Sequence, residues 1–356
     1  MSELKFIHER LYDYDLNSFV NELFEASKLF GAYEARLETC QMEDIILPIL
    51  HLREAVSSMD IEGTQATVTM VFEEEVSINK ESNKIASEIN NYAKALSRAT
   101  DYLRNNNFSH NLICEIHKIL LNDHTDNKNY LGKYKTVDNK IVNSSNTVIF
   151  TPPSHKSTKK YMDELIDFMN CTTDNINPLI KAAIIHSQFE SIHPFYDGNG
   201  RVGRILISLY LYKANVISVP FFYISEALSL DKKSYYSMLT SSRGESYDEW
   251  IRFFLKKCMI QTTSHIKYID NLNKLYFRTR EKVCHFINTT KYDMIVSCLF
   301  KQPILTSQYL SNELNVSVGQ AKRYLKILSE NQILIPDDKM RNTTYAFTDL
   351  LELVNT

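Results

Sequence analysis

Apolar residues recur along most of this chain with the period of an α-helix. Ile45, Ile49, Leu52, Val56 and Met59 stand at spacings of four and three, the stripe of an amphipathic helix running over about 45–62. Charged faces at helical spacing fill residues 1–95 and return near 100–128, so both stretches read as helical. His155–Met169 and Asn177–Ile192 continue the pattern, the second almost wholly apolar between Ala182 and Phe189. A glycine-rich break over 193–204 separates it from another apolar stretch, Ile205–Leu211. The break therefore reads as a loop joining two buried helices and opening the second.

Two stretches depart from this period. Tyr130–Pro153 is rich in β-branched residues, Asn and Ser, and Lys133–Val137 and Thr147–Phe150 flank Asn143-Ser144-Ser145-Asn146. That pattern predicts a β-hairpin in an otherwise helical protein. Near the end, Thr306–Leu314 and Ser317–Ser329 read as short helices around Asn315-Val316. Ile333–Ile335 and Thr344–Phe347 then read as strands bracketing Pro336-Asp337-Asp338. Helix, turn, helix and a two-stranded wing resemble a winged helix. The expected fold class is mostly α, in three parts: a helical region over 1–95, a core over 96–280 and a small domain over 283–356.

Composition narrows the function. Formal net charge is −3 with both signs well mixed, which argues against a protein that coats nucleic acid. From Val283 to Thr356 there are seven basic and seven acidic residues. The second helix there offers Gln320, Lys322, Arg323 and Lys326, so DNA binding and an interaction or dimerisation role stand level. The six cysteines, Cys40, Cys114, Cys171, Cys258, Cys284 and Cys298, show no C-x-x-C spacing and read as reduced, mostly buried thiols. With no signal-like opening segment and no apolar run of membrane-spanning length, the expected setting is cytoplasmic, with no membrane partner.

The candidate chemistry lies in the break, His193-Pro194-Phe195-Tyr196-Asp197-Gly198-Asn199-Gly200-Arg201-Val202-Gly203-Arg204. Gly198, Asn199 and Gly200 can adopt φ > 0, so their N–H groups are expected to converge on an anion at a helix N-terminus. Arg201 and Arg204, three apart, can fork phosphate oxygens. Asp197 is a hard oxygen ligand suited to Mg²⁺ bridging substrate phosphates. His193 can take a proton at neutral pH. Phe195 is expected to point into the core and pin the loop. Alone, a histidine after a helix or a Gly-Asn-Gly turn is usually structural; the conjunction with two arginines in an apolar helix start is not. No G-x-x-x-x-G-K-[ST] loop is present.

The run fills every fixed position of H-x-F-x-[DE]-G-N-G-R-x-x-R, and in this the chain resembles the Fic family. The resemblance implies a helical core that moves AMP from ATP onto a Ser, Thr or Tyr hydroxyl of a protein, possible self-modification included. It gives His193 the acceptor's proton, Asp197 the Mg²⁺, and Gly198, Asn199, Gly200, Arg201 and Arg204 the phosphates. It makes the 130–153 hairpin a flap that docks the target, with Asn139, Lys140, Ile141 and Val142 as its working part, and sets Tyr235 or Tyr236 near the adenine. His186, two helical turns before His193, reads chiefly as a hydrogen-bonded core histidine, with a supporting role as the alternative. Spacing alone makes Glu62 a solvated residue at a helix end before Gly63. The resemblance instead matches Ser58-x-x-x-Glu62-Gly63 to an inhibitory helix whose glutamate pairs with Arg204. Removal of AMP at the same site, and a nucleotide-sensing DNA-binding regulator, remain the alternatives; a homodimer is also open.

Overall fold

A computed structural model describes residues 4–38, 43–76, 84–122, 128–142, 147–337 and 342–355. Helices α1 (Val20–Glu38), α2 (Glu43–Ile61), α3 (Val68–Val76) and α4 (Lys84–Leu103) come first. Helix α5 (His110–Leu120), strands β1 (Ile141–Val142) and β2 (Val148–Phe150), and helices α6 (His155–Asn170), α7 (Pro178–Ile192) and α8 (Asn199–Lys213) follow. Then come α9 (Ser225–Ser229), α10 (Lys232–Ser241) and the 39-residue α11 (Asp248–Phe286). No helix among the described residues is long and apolar enough to cross a membrane.

The α7–α8 pair is the centre of the fold. Every α7 residue from Leu179 to Ile192 is buried, as is every α8 residue from Arg201 to Leu211. A helix apolar on all sides belongs in the middle of a core, with others packed around it. Helix α7 starts where Asn177 accepts the Leu179 N–H at 2.9 Å and Pro178 supplies a pre-set φ. It stops at His193, in the left-handed conformation with φ 48°. Helix α11 lies against α7 and is tied to it by Trp250, whose Nε1 donates to the Ala183 carbonyl at 2.8 Å.

The stripe Ile45, Ile49, Leu52 and Met59 faces inward on α2, as its spacing predicts. Gly63, with φ 91°, follows the end of α2, and the Thr64 N–H returns to the Met59 carbonyl at 3.1 Å.

The expected hairpin is only partly in place. Strand β1 is Ile141–Val142, pairing Ile141 with Phe150 and Val142 with Val148, and no strand forms over Lys133–Val137. That segment finds its partners elsewhere. The Lys135 N–H donates to the Pro194 carbonyl at 2.8 Å, and its ammonium to the Ile192 carbonyl at 3.2 Å. A β-branched composition thus marked an extended stretch laid along the 193–195 loop rather than a ladder. The expected turn Asn143–Asn146 lies outside the described residues, as do Cys40 and Asp338.

The last segment runs α12 (Tyr292–Lys301), β3 (Ile304–Thr306), α13 (Ser307–Leu314), α14 (Val318–Glu330), β4 (Ile335–Pro336), β5 (Thr344–Ala346) and α15 (Thr348–Asn355). Thr306 and Ser317 cap α13 and α14, accepting the Tyr309 and Gln320 N–H groups at 3.2 Å. Strand β5 pairs with both β3 and β4, and β3, three residues long, escapes any periodicity. This segment rests on α2 and α3. Gln302 donates to the Phe72 carbonyl at 3.3 Å, and Arg53 to the Leu353 carbonyl at 3.3 Å.

Trp250→Ala is expected to lower the free energy of unfolding by about 3–5 kcal/mol, because it empties a core site and leaves the α7–α11 contact without its ring. Urea unfolding checks this; an unchanged midpoint would show that the core does not depend on the ring.

Candidate active site

The loop between α7 and α8 is held through its backbone by neighbouring side chains. Asn199 Oδ1 accepts the Phe195 N–H at 2.8 Å and its Nδ2 donates to the Phe195 carbonyl at 2.9 Å. Asn139 Nδ2 donates to the His193 and Phe195 carbonyls at 3.2 and 3.0 Å. Phe195 is fully buried, as expected, and its ring stacks on His117 with centroids 3.9 Å apart. His117 Nδ1 accepts the Gly132 N–H at 3.0 Å, so its Nε2 carries the hydrogen and donates to the Asp197 carbonyl at 3.1 Å. Burial lowers His117 to about 4, which keeps it in that neutral form.

Two expectations change here. Only Gly198 takes a positive φ, of 73°; Asn199 and Gly200 are the first residues of α8. The free N–H groups here are those of a helix's first turn, a place that favours anions, and not those of a left-handed nest. Asn199 spends its side chain on the loop, and so does Asn139, which turns inward instead of standing on the outer edge of the hairpin. Gly200 is needed for close approach: a Cβ there would lie 3.0 Å from Arg204 Nη1 and 3.1 Å from Glu62 Oε1.

His193 looks into a cavity of about 480 Å³ lined also by Asp197, the start of α8, Glu62, Tyr235, Tyr236 and Ile141. Burial, with the positive charges of Lys135 and Arg243, lowers His193 to about 4, so the ring is neutral at neutral pH. Asp197 is more than half exposed and accepts the Gly198 N–H at 2.6 Å. Among the described residues no cluster of three His, Cys, Asp or Glu side chains could hold a metal. An exposed carboxylate beside Arg201 fits an ion carried in with phosphates rather than a resident one.

The arginines are deeply buried, Arg201 at 4% exposure and Arg204 at 3%. One carboxylate serves both. Glu62 Oε1 stands 2.8 Å from Arg204 Nη2, and Oε2 stands 2.9 Å from Arg201 Nε. The pairing with Arg204 was expected; the bridge to Arg201 was not. Burial opposes the Arg204 charge, but Glu62, Tyr235, Tyr92 and Glu190 around it outweigh that and hold it above its ordinary value. Ser58 does more than support a helix: its Oγ accepts Arg204 Nε at 2.9 Å and its carbonyl accepts Nη2 at 3.0 Å. Behind it, Glu54 accepts Tyr92 Oη at 2.9 Å and Ser225 Oγ at 2.5 Å, and burial pushes its carboxyl up to about 7. Glu54, Ser58 and Glu62 fall on one face at spacings of four, a signal the sequence carried for Glu54 as well.

Tyr235 is fully buried, its hydroxyl 2.9 Å from His186 Nε2, which makes His186 a bonded core residue. Tyr236 is half exposed and donates to the Ile61 carbonyl at 3.2 Å, so its ring is the one open to a base. Lys140 and Val142 are exposed, away from the cavity that Ile141 enters. Arg243 and Glu190 are among the wall residues not foreseen. Arg243 lies 4.2 Å over the Phe150 ring and donates to Ser191 Oγ at 3.0 Å, with burial depressing it to about 10. Only the fold brings it there. Glu190 stands one helical turn before His193, a spacing that could have named it.

Residues 107–211 match the family described as Fic/DOC family, and residues 20–101 match its N-terminal counterpart, together more than half the chain. With a helical core whose loop carries the full H-x-F-x-[DE]-G-N-G-R-x-x-R pattern, the chain belongs to the Fic/DOC family. An Aquifex aeolicus protein named "Probable protein adenylyltransferase" is 27% identical over 183 residues, 50% of this chain and 51% of its own. A protein adenylyltransferase of Caenorhabditis elegans is 36% identical over 66 residues, 18% of this chain and 13% of its own. The chain thus spans about half, or less, of the length of these curated relatives. Among solved structures, a Fic family protein from Desulfovibrio desulfuricans G20 aligns with TM-score 0.58 and 18% identity over 93% of this chain and 95% of its own. A Fic domain containing signaling protein from Bacteroides thetaiotaomicron aligns with TM-score 0.54 and 21% identity, over 69% of this chain and 97% of its own. These two likenesses establish the fold.

Gly203 sits against Glu190, and a Cβ there would lie 2.5 Å from the carboxylate Oε1 and 3.1 Å from the Phe189 ring. Gly203→Ala is expected to cost about 1–3 kcal/mol through overpacking. Thermal unfolding checks it; a wild-type midpoint would show that α7 and α8 can separate freely at this point.

Proposed function

We propose that this protein is an adenylyltransferase that moves AMP from ATP onto a Ser, Thr or Tyr hydroxyl of a protein, and that Glu62 holds it in check. One observation carries the reading: a neutral His193 and two buried arginines open into a single cavity, and the arginines' anion position is taken by a carboxylate of the same chain. The names of the curated relatives support it.

In this reading the triphosphate lies over the first turn of α8, whose free N–H groups and dipole favour anions. Arg201 and Arg204 fork its oxygens once Glu62 has moved aside. Asp197 would hold Mg²⁺ arriving with the nucleotide, which supplies further neutralisation of phosphate charge. The base stacks on Tyr236, and the target segment lies along β1 near Ile141. His193 takes the acceptor hydroxyl's proton. The hydroxyl oxygen bonds to the α-phosphorus, the bond to the β-phosphate oxygen breaks, and pyrophosphate leaves. Positioning and charge neutralisation provide most of the acceleration.

His193→Ala is expected to slow transfer by about 10²–10⁴-fold while nucleotide binding persists, since the ring handles only the acceptor's proton. Because burial lowers His193 to about 4, the base stays unprotonated as pH falls from 8 towards 5, and the acid limb of the wild-type rate should lie near that value. Transfer kinetics against pH test both; wild-type rates in the alanine variant would remove His193 from the chemistry.

Glu62→Gly is expected to raise transfer on the order of 10²-fold, because both arginines are released and the phosphates can align for attack. Arg204→Ala should be inactive in either background. Ser58→Ala should also activate, since it removes an acceptor from Arg204 Nε. Self-labelling with ATP compares the variants; equal or lower labelling in Glu62→Gly would end the inhibitory reading and turn Glu62 towards AMP removal.

A further inference from the structure

Glu190 is a buried acid in the cavity wall that the transfer chemistry leaves unused. It is 7% exposed, and its Oε1 has no hydrogen-bond partner among the described residues. The carboxylate is pressed against α8 at Gly203, beside Arg204. An unpaired acceptor is costly where water is excluded, and protonating the carboxyl lowers that cost; the residue itself lines the cavity.

Charged and titratable groups bear on Glu190 from several of the surrounding elements, Tyr236 of α10 among them. Helix α8 brings Arg204, α2 brings Glu62, α10 brings Tyr235, and the turn after α10 brings Arg243. On α7 itself His186 and His193 stand on either side, both kept neutral by burial near 3 and 4. Burial pushes the Glu190 carboxyl up and the Glu62 charge adds to this, while Arg204 and Arg243 pull down; the balance lies at about 7. The group is therefore divided between its two forms at neutral pH. Ionised, it accepts only. Protonated, it carries an O–H donor, the polarity a phosphate oxygen needs.

Building on the adenylyltransferase reading, we propose that Glu190 is the proton-exchanging counter-ion of the phosphate site, a positioning residue that takes a proton from solvent as the triphosphate settles on Arg204. A phosphate brings more negative charge to Arg204 than the Glu62 carboxylate it displaces. An ionised Glu190 would then oppose the nucleotide, and a protonated one would donate to it. One proton enters the site, no covalent bond changes, and Arg204 stays charged throughout.

The test is calorimetric titration of the full chain with the α,β-methylene analogue of ATP, which cannot pass on its AMP, at about pH 7.5 in two buffers of different ionisation enthalpy. Wild-type protein should take up more protons on binding than Glu190→Gln, which fills the same space and cannot titrate. The ratio of wild-type to Glu190→Gln dissociation constants should rise by up to about tenfold between pH 7 and 8, where only the wild type must first be protonated. Glu54, the other carboxyl raised to about 7, lies behind Ser58 and is present in both proteins, so their difference isolates Glu190. Equal uptake and parallel pH profiles would overturn the proposal. So would wild-type binding that consumes no proton beyond the nucleotide's own, whatever the fate of the variant. Failure of the wild type to bind the analogue would overturn the nucleotide reading and this proposal together, whereas binding with equal uptake overturns this one alone.

Discussion

Two guanidiniums buried inside a protein demand a negative charge beside them. Desolvating such a group costs several kcal/mol unless a partner with good geometry compensates. Arg201 and Arg204 line the cavity from the first two turns of α8 and are almost wholly shielded from water. Something anionic must stand at that place, and in this structure it is chiefly Glu62, with Glu88 and Asp197 standing 4.0 and 3.9 Å from Arg201. The position of α2, the glycine at position 200 and the contacts of Ser58 follow from that demand. An exchange of anions at one fixed position, rather than the filling of an empty pocket, is how a triphosphate would have to enter.

The same economy holds the loop. His193 takes a left-handed conformation that a residue with a Cβ adopts reluctantly, at roughly 1–2 kcal/mol. It stays there because its neighbours' carbonyls are all engaged: Lys135 holds Ile192 and Pro194, and Asn139 holds His193 and Phe195. Asn199 closes the loop from the other side. The asparagines act on backbone atoms, leaving His193, Tyr196 and Asp197 as the loop side chains that line the cavity. Rigidity here would serve the proposed transfer, because a small displacement of a proton acceptor can forfeit much of the rate.

Much of this was legible in the residues. The apolar periods of α7 and α8 place the 193–204 run between buried helices, and the stripe on α2 turns Glu62 inward. What was lost was lost for physical reasons. Lys133–Val137 has the composition of a strand, but its hydrogen bonds go to a loop some sixty residues away, which no local pattern encodes. Asn199 and Gly200 tolerate positive φ, yet a helix start asks only for free N–H groups, so tolerance was mistaken for use. Arg243 reaches the cavity from a turn whose placement depends on how α10 meets α7. Glu54 and Glu190 were within reach of pattern reading, each one turn from a residue already singled out, but burial and partners, not spacing, separate a wall residue from a solvated one.

Glu62 lies one residue beyond the last turn of α2, just before a glycine in the left-handed region. Helix ends are where backbone hydrogen bonds open first and at least cost. In the reading proposed above, withdrawing the Glu62 carboxylate would require only the end of α2 to fray, while the Ile45–Met59 stripe stays seated in the core and Ser58 keeps its contacts with Arg204. The catch and its mounting are parts of the same helix with very different stabilities. Opening of that kind would belong to the timescale of terminal fraying, fast and local, and would leave the rest of the fold undisturbed.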